Sequence, residues 1–401
     1  MTGVAGITPE RLIRFGAIPF LLLTAAPVVF GFPPEPTLQL YAQYPVLAYL
    51  GKCLLLLLFP LSAALFARLD SSTVPKKFLV YCGFLFVAFL LTDIHYYTVD
   101  WSPQRFAWQA DQYVKILAGQ YTPRHQYRFL PQGALWWFVA ITGDFTFGYF
   151  AYRLFFTFVL CVCLYRFGRI YLPHHSASMV VLVYACFYPL STRYYFGNIL
   201  DPMFHAIFFL ALAYCQKGKF WCVFLLLAVG LFVKETVILA APCYWLLQIE
   251  SPRTRTLSAL LKVGGLMAWC LLLFAVCRMP FGFHWDNETL NGVPQLMIWS
   301  NWGFERGIAV STVPIWIRHL HPLLFIFLWL PFILLYRKHL PLSLFYTALY
   351  VSAAIYGTNL CFGWNYESRN FVPALGVLMV CMSIIFSGRC ASGESATSPP
   401  T

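Results

Sequence analysis

Long apolar stretches recur from one end of this chain to the other, and short polar stretches separate them. Apolar runs of about 17–25 residues are long enough to cross a hydrocarbon core of about 30 Å as helices, because each residue adds about 1.5 Å. Segments that alternate apolar and polar residues, as membrane strands would, do not stand out. The pattern predicts an all-α polytopic transmembrane helical bundle of about 12 spans.

The basic residues indicate how these spans are oriented. Arg11 and Arg14 precede the first span, and further Lys and Arg pairs follow in alternate loops, as expected for cytoplasmic loops. Both termini are therefore predicted in the cytoplasm. The chain divides into two N-terminal helices (1–76), a helical core (77–388) and a disordered Ser/Pro-rich tail (389–401). The membrane could be that of a bacterium or of the endoplasmic reticulum, and the short loops and the lack of a soluble domain favour the bacterial inner (plasma) membrane.

Composition narrows the possible partners. Charged residues make up only 10% of the chain, and the net charge is +12. Because the basic residues lie mostly in short loops, this charge reflects topology and attraction to the lipid bilayer, and we expect no nucleic-acid partner. Most cysteines lie inside apolar runs, and His95, His125 and His205 have no ligand spacing with Cys or acidic residues. No cofactor is predicted, and a divalent metal has no support from ligand spacing.

Nearly all the charges outside the short cytoplasmic loops share one predicted location, the extracytoplasmic ends of the helices or the external segments. This set includes Asp93, Asp100, Asp111, Arg124, Arg128, Arg193, Asp201, Lys234, Glu235, Asp286, Arg306, Glu367 and Arg369. A charged side chain at the bilayer midplane costs about 2.5–3.5 kcal/mol, so this grouping predicts a shared polar cavity at the outer interface.

The segment from Asp93 to Gly133 concentrates these charges. Within it, Ala110 to Gly119 has the pattern of a short amphipathic helix that lies at the membrane surface and ends at the glycine. The run Tyr-Arg-Phe-Leu-Pro at 127–131 then predicts a new helix that starts at its proline. Two interpretations stay open: Asp111 simply faces water, or it acts as a general base while Arg128 binds a phosphate.

A second polar position interrupts the apolar run from Phe220 to Gln248. The run has basic residues at both ends and Lys234-Glu235 in its middle, which predicts a hairpin of two short helices with this pair at the outer turn. Adjacent residues point apart, so Lys234 and Glu235 need not form an ion pair. Asp201 precedes a proline and a helix, and it is either an N-terminal cap or a member of the polar cavity.

Taken in order, these motifs resemble the glycosyltransferase C (GT-C) superfamily, and its polyprenyl-phosphate-mannose-dependent branch most closely. The likeness extends over about Phe78 to Phe386. It consists of the acidic external segment with Tyr-Arg-x-Leu-Pro, the run Lys-Glu-Thr at 234–236 with a proline after it, and Glu-x-Arg at 367–369 before a late helix. The first two spans resemble an addition to this core.

The resemblance implies an enzyme that transfers a mannose-like hexose or pentose from a polyprenyl-phosphate-linked donor, with inversion, to an extracytoplasmic glycan, lipid or protein acceptor. It implies Asp111 as the catalytic base. The paired acidic motif of many members reads Asp93-Ile94-His95 here, which leaves Asp93 and Asp100 as alternatives for the base. The implied phosphate ligands are Arg128, Lys234 and Arg369, and the supporting residues are Glu235, Glu367, Asp201 and Tyr113.

A multipass transporter or flippase of lipid-linked saccharides is the alternative. Its charged residues would line a path through the bilayer, and transporters of this kind usually contain internal repeats. The chain has no convincing repeat, and its charges gather at one predicted face and not at the midplane. The pattern therefore favours the enzyme, with its active site on the outer face.

Overall fold

The computed structural model describes residues 9–30, 39–40, 43–70, 74–96, 103–120, 127–192, 199–250, 257–279, 320, 322–362 and 368–387. These residues form helices and turns and contain no strand, as the all-α prediction requires. The α-helices are α1 (Pro9–Val29), α2 (Pro45–Asp70), α3 (Val74–His95), α4 (Pro103–Leu117), α5 (Phe129–Thr142), α6 (Phe145–Gly168), α7 (His174–Thr192), α8 (Asp201–Gln216), α9 (Phe220–Leu231), α10 (Cys243–Leu246), α11 (Leu257–Arg278), α12 (Leu330–Leu335), α13 (Leu342–Phe362) and α14 (Val372–Phe386).

Three of the described helices are long and apolar enough to cross a membrane. The corresponding segments are Lys77–His95, Phe145–Gly168 and Ser258–Arg278. Several other apolar helices have only 10–17 residues. The helical bundle is thus confirmed, whereas the total of about 12 spans stays a prediction from the sequence.

The centre of the bundle consists of α6, α8 and α14. In an 18-residue stretch of α6, 78% of the residues are buried. In a stretch of the same length in α11 only 11% are buried, so α11 lies at the periphery of the bundle. Helices α6 and α8 run in the same direction. The Tyr152 hydroxyl donates to the Ile199 carbonyl near their starts (3.0 Å), and the Phe167 ring at the end of α6 stacks on the Phe209 ring in the middle of α8. Apolar side chains exposed on the outer helices suit contact with lipid.

The N-terminal helices pack directly on the predicted core. Gly133 of α5 lies against the Thr24 carbonyl of α1, and Gly51 of α2 lies against the Ile141 carbonyl of α5. A side chain at either glycine would collide with the facing backbone, so both glycines permit close helix contact. The division at residue 76 stays a prediction.

The ends of the bundle carry different sets of polar contacts. At one end, Lys219 and Glu10 form an ion pair at 3.3 Å, and the Tyr171 hydroxyl donates to Gln216 at 2.9 Å. The start of α8, with Asp201, lies at the other end of the same helix. Lys219 and Glu10, both predicted on the cytoplasmic side, therefore lie at the end of the bundle opposite Asp201.

Asp144 joins α2 to the turn between α5 and α6. Its carboxylate accepts hydrogen bonds from the backbone N–H groups of Thr146 (2.8 Å) and Phe147 (3.2 Å), and from Lys52 Nζ at 3.0 Å. Burial acts to raise the pKa of this carboxyl, but the Lys52 ammonium and the two backbone hydrogen bonds outweigh it and lower the pKa below its ordinary value. Ionised Asp144 therefore stabilises the fold.

We expect this stabilisation to be lost at acid pH. A carboxyl whose pKa is lowered by folding contributes stability above its unfolded-state pKa of about 3.9, and the contribution disappears as the pH falls through the folded-state pKa. Asp144→Asn keeps a good cap but removes the charge, so its cost at neutral pH should stay below about 1 kcal/mol. Thermal unfolding of wild type and variant from neutral to acid pH measures the difference, and parallel pH profiles would contradict a stabilising charge.

Candidate functional site

The chain reverses direction at Lys234 and Glu235. Helix α9 ends at Leu231, and a 3-10 segment starts at Glu235. The Tyr244 hydroxyl donates to the Gly218 carbonyl at 3.2 Å. The end of the second arm of the hairpin, at α10, therefore lies beside the start of the first arm, α9. The predicted hairpin is confirmed, but its second arm is a 3-10 segment (Glu235–Ala240) followed by one α-helical turn and not a regular helix.

The Glu235 cluster consists of Glu235, Arg128, Arg278 and Tyr127. Arg128 binds the carboxylate at two points, with Nε 3.0 Å from Oε2 and Nη2 2.6 Å from Oε1. The Tyr127 hydroxyl donates to Oε1 at 3.2 Å, and Arg278 Nη2 lies 3.5 Å from the same oxygen. Two cations from distant parts of the chain therefore meet at one partly buried carboxylate.

The Asp201 cluster consists of Asp201, Lys234, Arg369 and Asn370. Lys234 Nζ lies 3.4 Å from Oδ1 of Asp201, and Arg369 Nη1 lies 3.3 Å from its Oδ2. Lys234 also donates to Asn370 Oδ1 at 2.6 Å. The three charged side chains are at most 10% exposed, so this cluster lies inside the bundle.

Local backbone geometry places the two clusters side by side. Lys234 has an extended backbone (φ −161°, ψ 128°), and consecutive side chains of extended chain point to opposite sides. Lys234 therefore reaches Asp201 while Glu235 reaches Arg128. The expectation that these neighbours need not pair is confirmed, since their bonds go to different partners.

Asp201 is not the cap of α8. The capping position is Leu200, and no side chain makes a cap hydrogen bond there. The Asp201 carboxylate instead contacts Lys234 and Arg369. Of the two interpretations that the sequence left open, the structure supports membership of the polar cluster.

Neutral groups surround the Asp201 cluster. His205 Nε2 lies 3.1 Å from the Arg369 carbonyl oxygen, and the Lys234 ammonium lies 5.1 Å from the centre of the Phe204 ring. Asn370 donates to Asn359 Oδ1 at 2.9 Å, which connects the cluster to α13. A small cavity beside Asn370 is lined by Phe204, Phe208, Thr236, Ile355, Thr358, Asn359 and Asn370.

The amphipathic helix is confirmed as α4, although it starts at Pro103 and not near Ala110. Proline fits the first turn of a helix, where its missing N–H has no partner to lose. Gly119 ends the segment in the left-handed conformation (φ 68°). Asp111 and Lys115 form an exposed ion pair at 2.7 Å on one face of this helix.

The buried face of α4 connects it to the start of α6. Tyr113 lies 5.3 Å from Phe145, ring centre to ring centre, and Phe106 lies 6.0 Å from Tyr149. The Tyr149 hydroxyl accepts from Arg153 Nη1 at 3.4 Å. Tyr113, expected as a supporting residue of the site, is a buried residue that holds α4 in place.

The remaining predicted residues are distributed as follows. Arg128 directly precedes α5, which starts at Phe129 and not at the proline two residues later. Asp93 lies in the last turn of α3 and is partly exposed. Asp100 and Glu367 lie outside the described residues.

Sequence reasoning missed three members of the site. Arg278 ends α11, and no role was predicted for it, although an arginine after an apolar run is a useful signal. Asn370 directly follows Arg369 in the Glu-x-Arg motif, and no role was expected for it. Asn359 lies in an apolar helix, where a buried amide needs a partner, and that partner is Asn370.

The side chains that could hold a metal do not come together in the described part of the chain. Groups of three or more His, Cys, Asp or Glu residues do not occur there. The clusters around Glu235 and Asp201 each offer a single carboxylate already bound to cations. Such a donor set suits an anion better than a cation.

Comparison with protein-family models, with curated proteins and with solved structures returned no match for this chain. The resemblance to the GT-C superfamily therefore depends on the short motifs themselves. What the structure adds is that residues from these motifs meet in the two clusters.

Proposed function

We propose that this protein is a membrane glycosyltransferase that takes a mannose-like hexose or a pentose from a polyprenyl-phosphate donor. One observation carries the proposal. Four cations from four separate chain segments, Arg128, Lys234, Arg278 and Arg369, surround two carboxylates in adjacent clusters, one buried (Asp201) and one partly buried (Glu235). Gathering these charges is costly unless the site uses them, and charged residues inside membrane proteins are functional by default.

The chemistry of the donor fits such a site. When the glycosidic bond to phosphate breaks, the leaving phosphate gains negative charge, and fixed cations in a nearly dry site stabilise that charge. Arginine forks match phosphate oxygens in pairs, and a lysine adds a compact positive charge. Each cluster contributes two cations and one carboxylate among the described residues, which leaves positive charge in excess there.

The acceptor requires a base. In the proposed reaction, Asp111 takes the proton from an acceptor hydroxyl, and the acceptor oxygen attacks the anomeric carbon from the side opposite the phosphate. The bond from that carbon to the phosphate oxygen breaks, and the phosphate leaves with the electron pair. This single displacement inverts the anomeric centre. Asp93 and Asp100 are the other candidates for the base.

The proposed setting is the extracytoplasmic side of a bacterial inner membrane, with both termini in the cytoplasm. The apolar chain of the donor would stay in the bilayer while its phosphate reaches the clusters sideways. A glycan, lipid or protein acceptor would approach over α4, whose exposed face carries Asp111. This division of space suits a lipid-linked donor and a water-exposed acceptor.

Transfer of labelled sugar by the purified protein tests the proposal. We expect turnover with at least one polyprenyl-phosphate donor from a panel of hexoses and pentoses, and an inverted product linkage by NMR. Absence of transfer with a broad donor and acceptor panel, together with movement of the donor across liposomes, would instead establish the transporter of lipid-linked saccharides.

A further inference from the structure

Arg278 uses few of its hydrogen-bond donors. Its guanidinium has five N–H donors. The acceptors it reaches are the Tyr127 hydroxyl at 2.5 Å and Glu235 Oε1 at 3.5 Å, and both contacts involve Nη2. Its Nε is buried and has no hydrogen-bond partner among the described residues.

Arg128 presents the opposite case. Its Nε and Nη2 both bind the Glu235 carboxylate, in the two-point geometry that is strongest for this pair. A phosphate could replace Glu235 there only by breaking both bonds. The geometry therefore suits Arg128 to fixing the position of Glu235, which in turn lies next to Arg278.

Aromatic rings hold the Arg278 side chain in place. Its guanidinium carbon lies 4.1 Å from the centre of the Phe274 ring and 4.5 Å from the centre of the Tyr127 ring. These cation–π contacts fix the plane of the guanidinium without occupying its N–H groups. The side chain is only 11% exposed, so bulk water can accept few hydrogen bonds from its N–H groups. Leaving a buried donor without a partner is unfavourable, and an anionic ligand that accepts its hydrogen bond would remove that cost.

We propose that Arg278, and not Arg128, is the arginine that directly binds the phosphate of the lipid-linked donor, and that Arg128 is a positioning residue. The inference rests on the proposed function for the identity of the donor. The chemistry that Arg278 would recognise is a phosphate monoanion or dianion beside an apolar chain. An anionic phospholipid headgroup offers similar chemistry, so the two sources must be separated by experiment.

The test measures binding of a short polyprenyl phosphate, and of the matching uncharged polyprenol, to the full-length protein in phosphatidylcholine nanodiscs. Arg278→Gln should weaken binding of the phosphate by about 10-fold to 100-fold, the value expected for charge-assisted hydrogen bonds, and leave polyprenol binding unchanged. Arg278→Lys keeps the charge without the fork and should recover part of the loss. Arg337→Gln, which removes an exposed arginine, is the matched control and should bind both ligands like the wild type.

The outcomes separate this inference from the proposed function. Unchanged phosphate binding by a folded Arg278→Gln protein would overturn the role of Arg278, and sugar transfer by the wild type would still stand. Equal loss of polyprenol binding would also overturn it, since a merely structural change would affect both ligands. Competition by phosphatidylglycerol nanodiscs as strong as by the polyprenyl phosphate would identify a headgroup site and overturn the assignment to the donor.

Discussion

Asp201→Asn is expected to lower the free energy of unfolding by about 3–5 kcal/mol, because removing one partner of a buried ion pair leaves uncompensated charge. Lys234 and Arg369 share this carboxylate, and all three side chains are at most 10% exposed. A loss of this size is a large part of the stability of an ordinary protein, about 5–15 kcal/mol. Denaturant unfolding in mixed micelles measures it.

Two further variants make this prediction specific. Glu250→Gln changes an exposed carboxylate that accepts hydrogen bonds from Leu342 N and Ser343 Oγ, and it should cost far less than Asp201→Asn. Adding Lys234→Met to Asp201→Asn removes one of the two cations and should restore part of the stability. If Asp201→Asn unfolds like the wild type, the carboxylate does not neutralise the cations inside the bundle.

Asp111→Asn is expected to reduce sugar transfer by about 10²-fold to 10⁴-fold, the usual contribution of a general base. Folding should be almost unaffected, since Asp111 is exposed and its pair with Lys115 contributes at most about 0.5 kcal/mol. The measurement is the transfer rate at saturating donor, with thermal unfolding measured in parallel. The ratio of the two effects separates catalysis from stability.

Lys115→Met is the matched control for this variant. It breaks the same ion pair but keeps the carboxylate, so transfer should continue at close to the wild-type rate. Asp93→Asn and Asp100→Asn are measured alongside. Normal transfer by a folded Asp111→Asn protein would exclude Asp111 as the base, and loss in one of the other two would identify the residue that takes its place.

The apolar runs predicted the regular helices well. The runs from about Phe147 to Leu164 and from Ile199 to Tyr214 fold as α6 and α8 with ends shifted by two to four residues, and the glycine at 119 ends the α4 segment as expected. These features depend on local chemistry: the length of an apolar run, a proline in a first turn and a residue with positive φ. These local signals can be recognised without knowing which other segments pack against them.

The irregular parts were harder to predict. The second arm of the hairpin contains a 3-10 segment where a helix was predicted, because an apolar run has the same hydropathy in either geometry. That Arg278 belongs to the Glu235 cluster was also not predicted, because this too depends on tertiary packing. Its partners, Tyr127 and Glu235, are far away in sequence, and nothing near Arg278 indicates them.

The sequence by itself determined that the chain is helical and apolar, and that its sparse charges concentrate near Asp111, Lys234 and Arg369. Only the tertiary structure decided how those charges are paired. It pairs Asp201 with Lys234 and Arg369, and it pairs Glu235 with Arg128 and Arg278. The physical reason is that helix formation follows from local residue types, whereas an ion pair depends on which chain segments pack together.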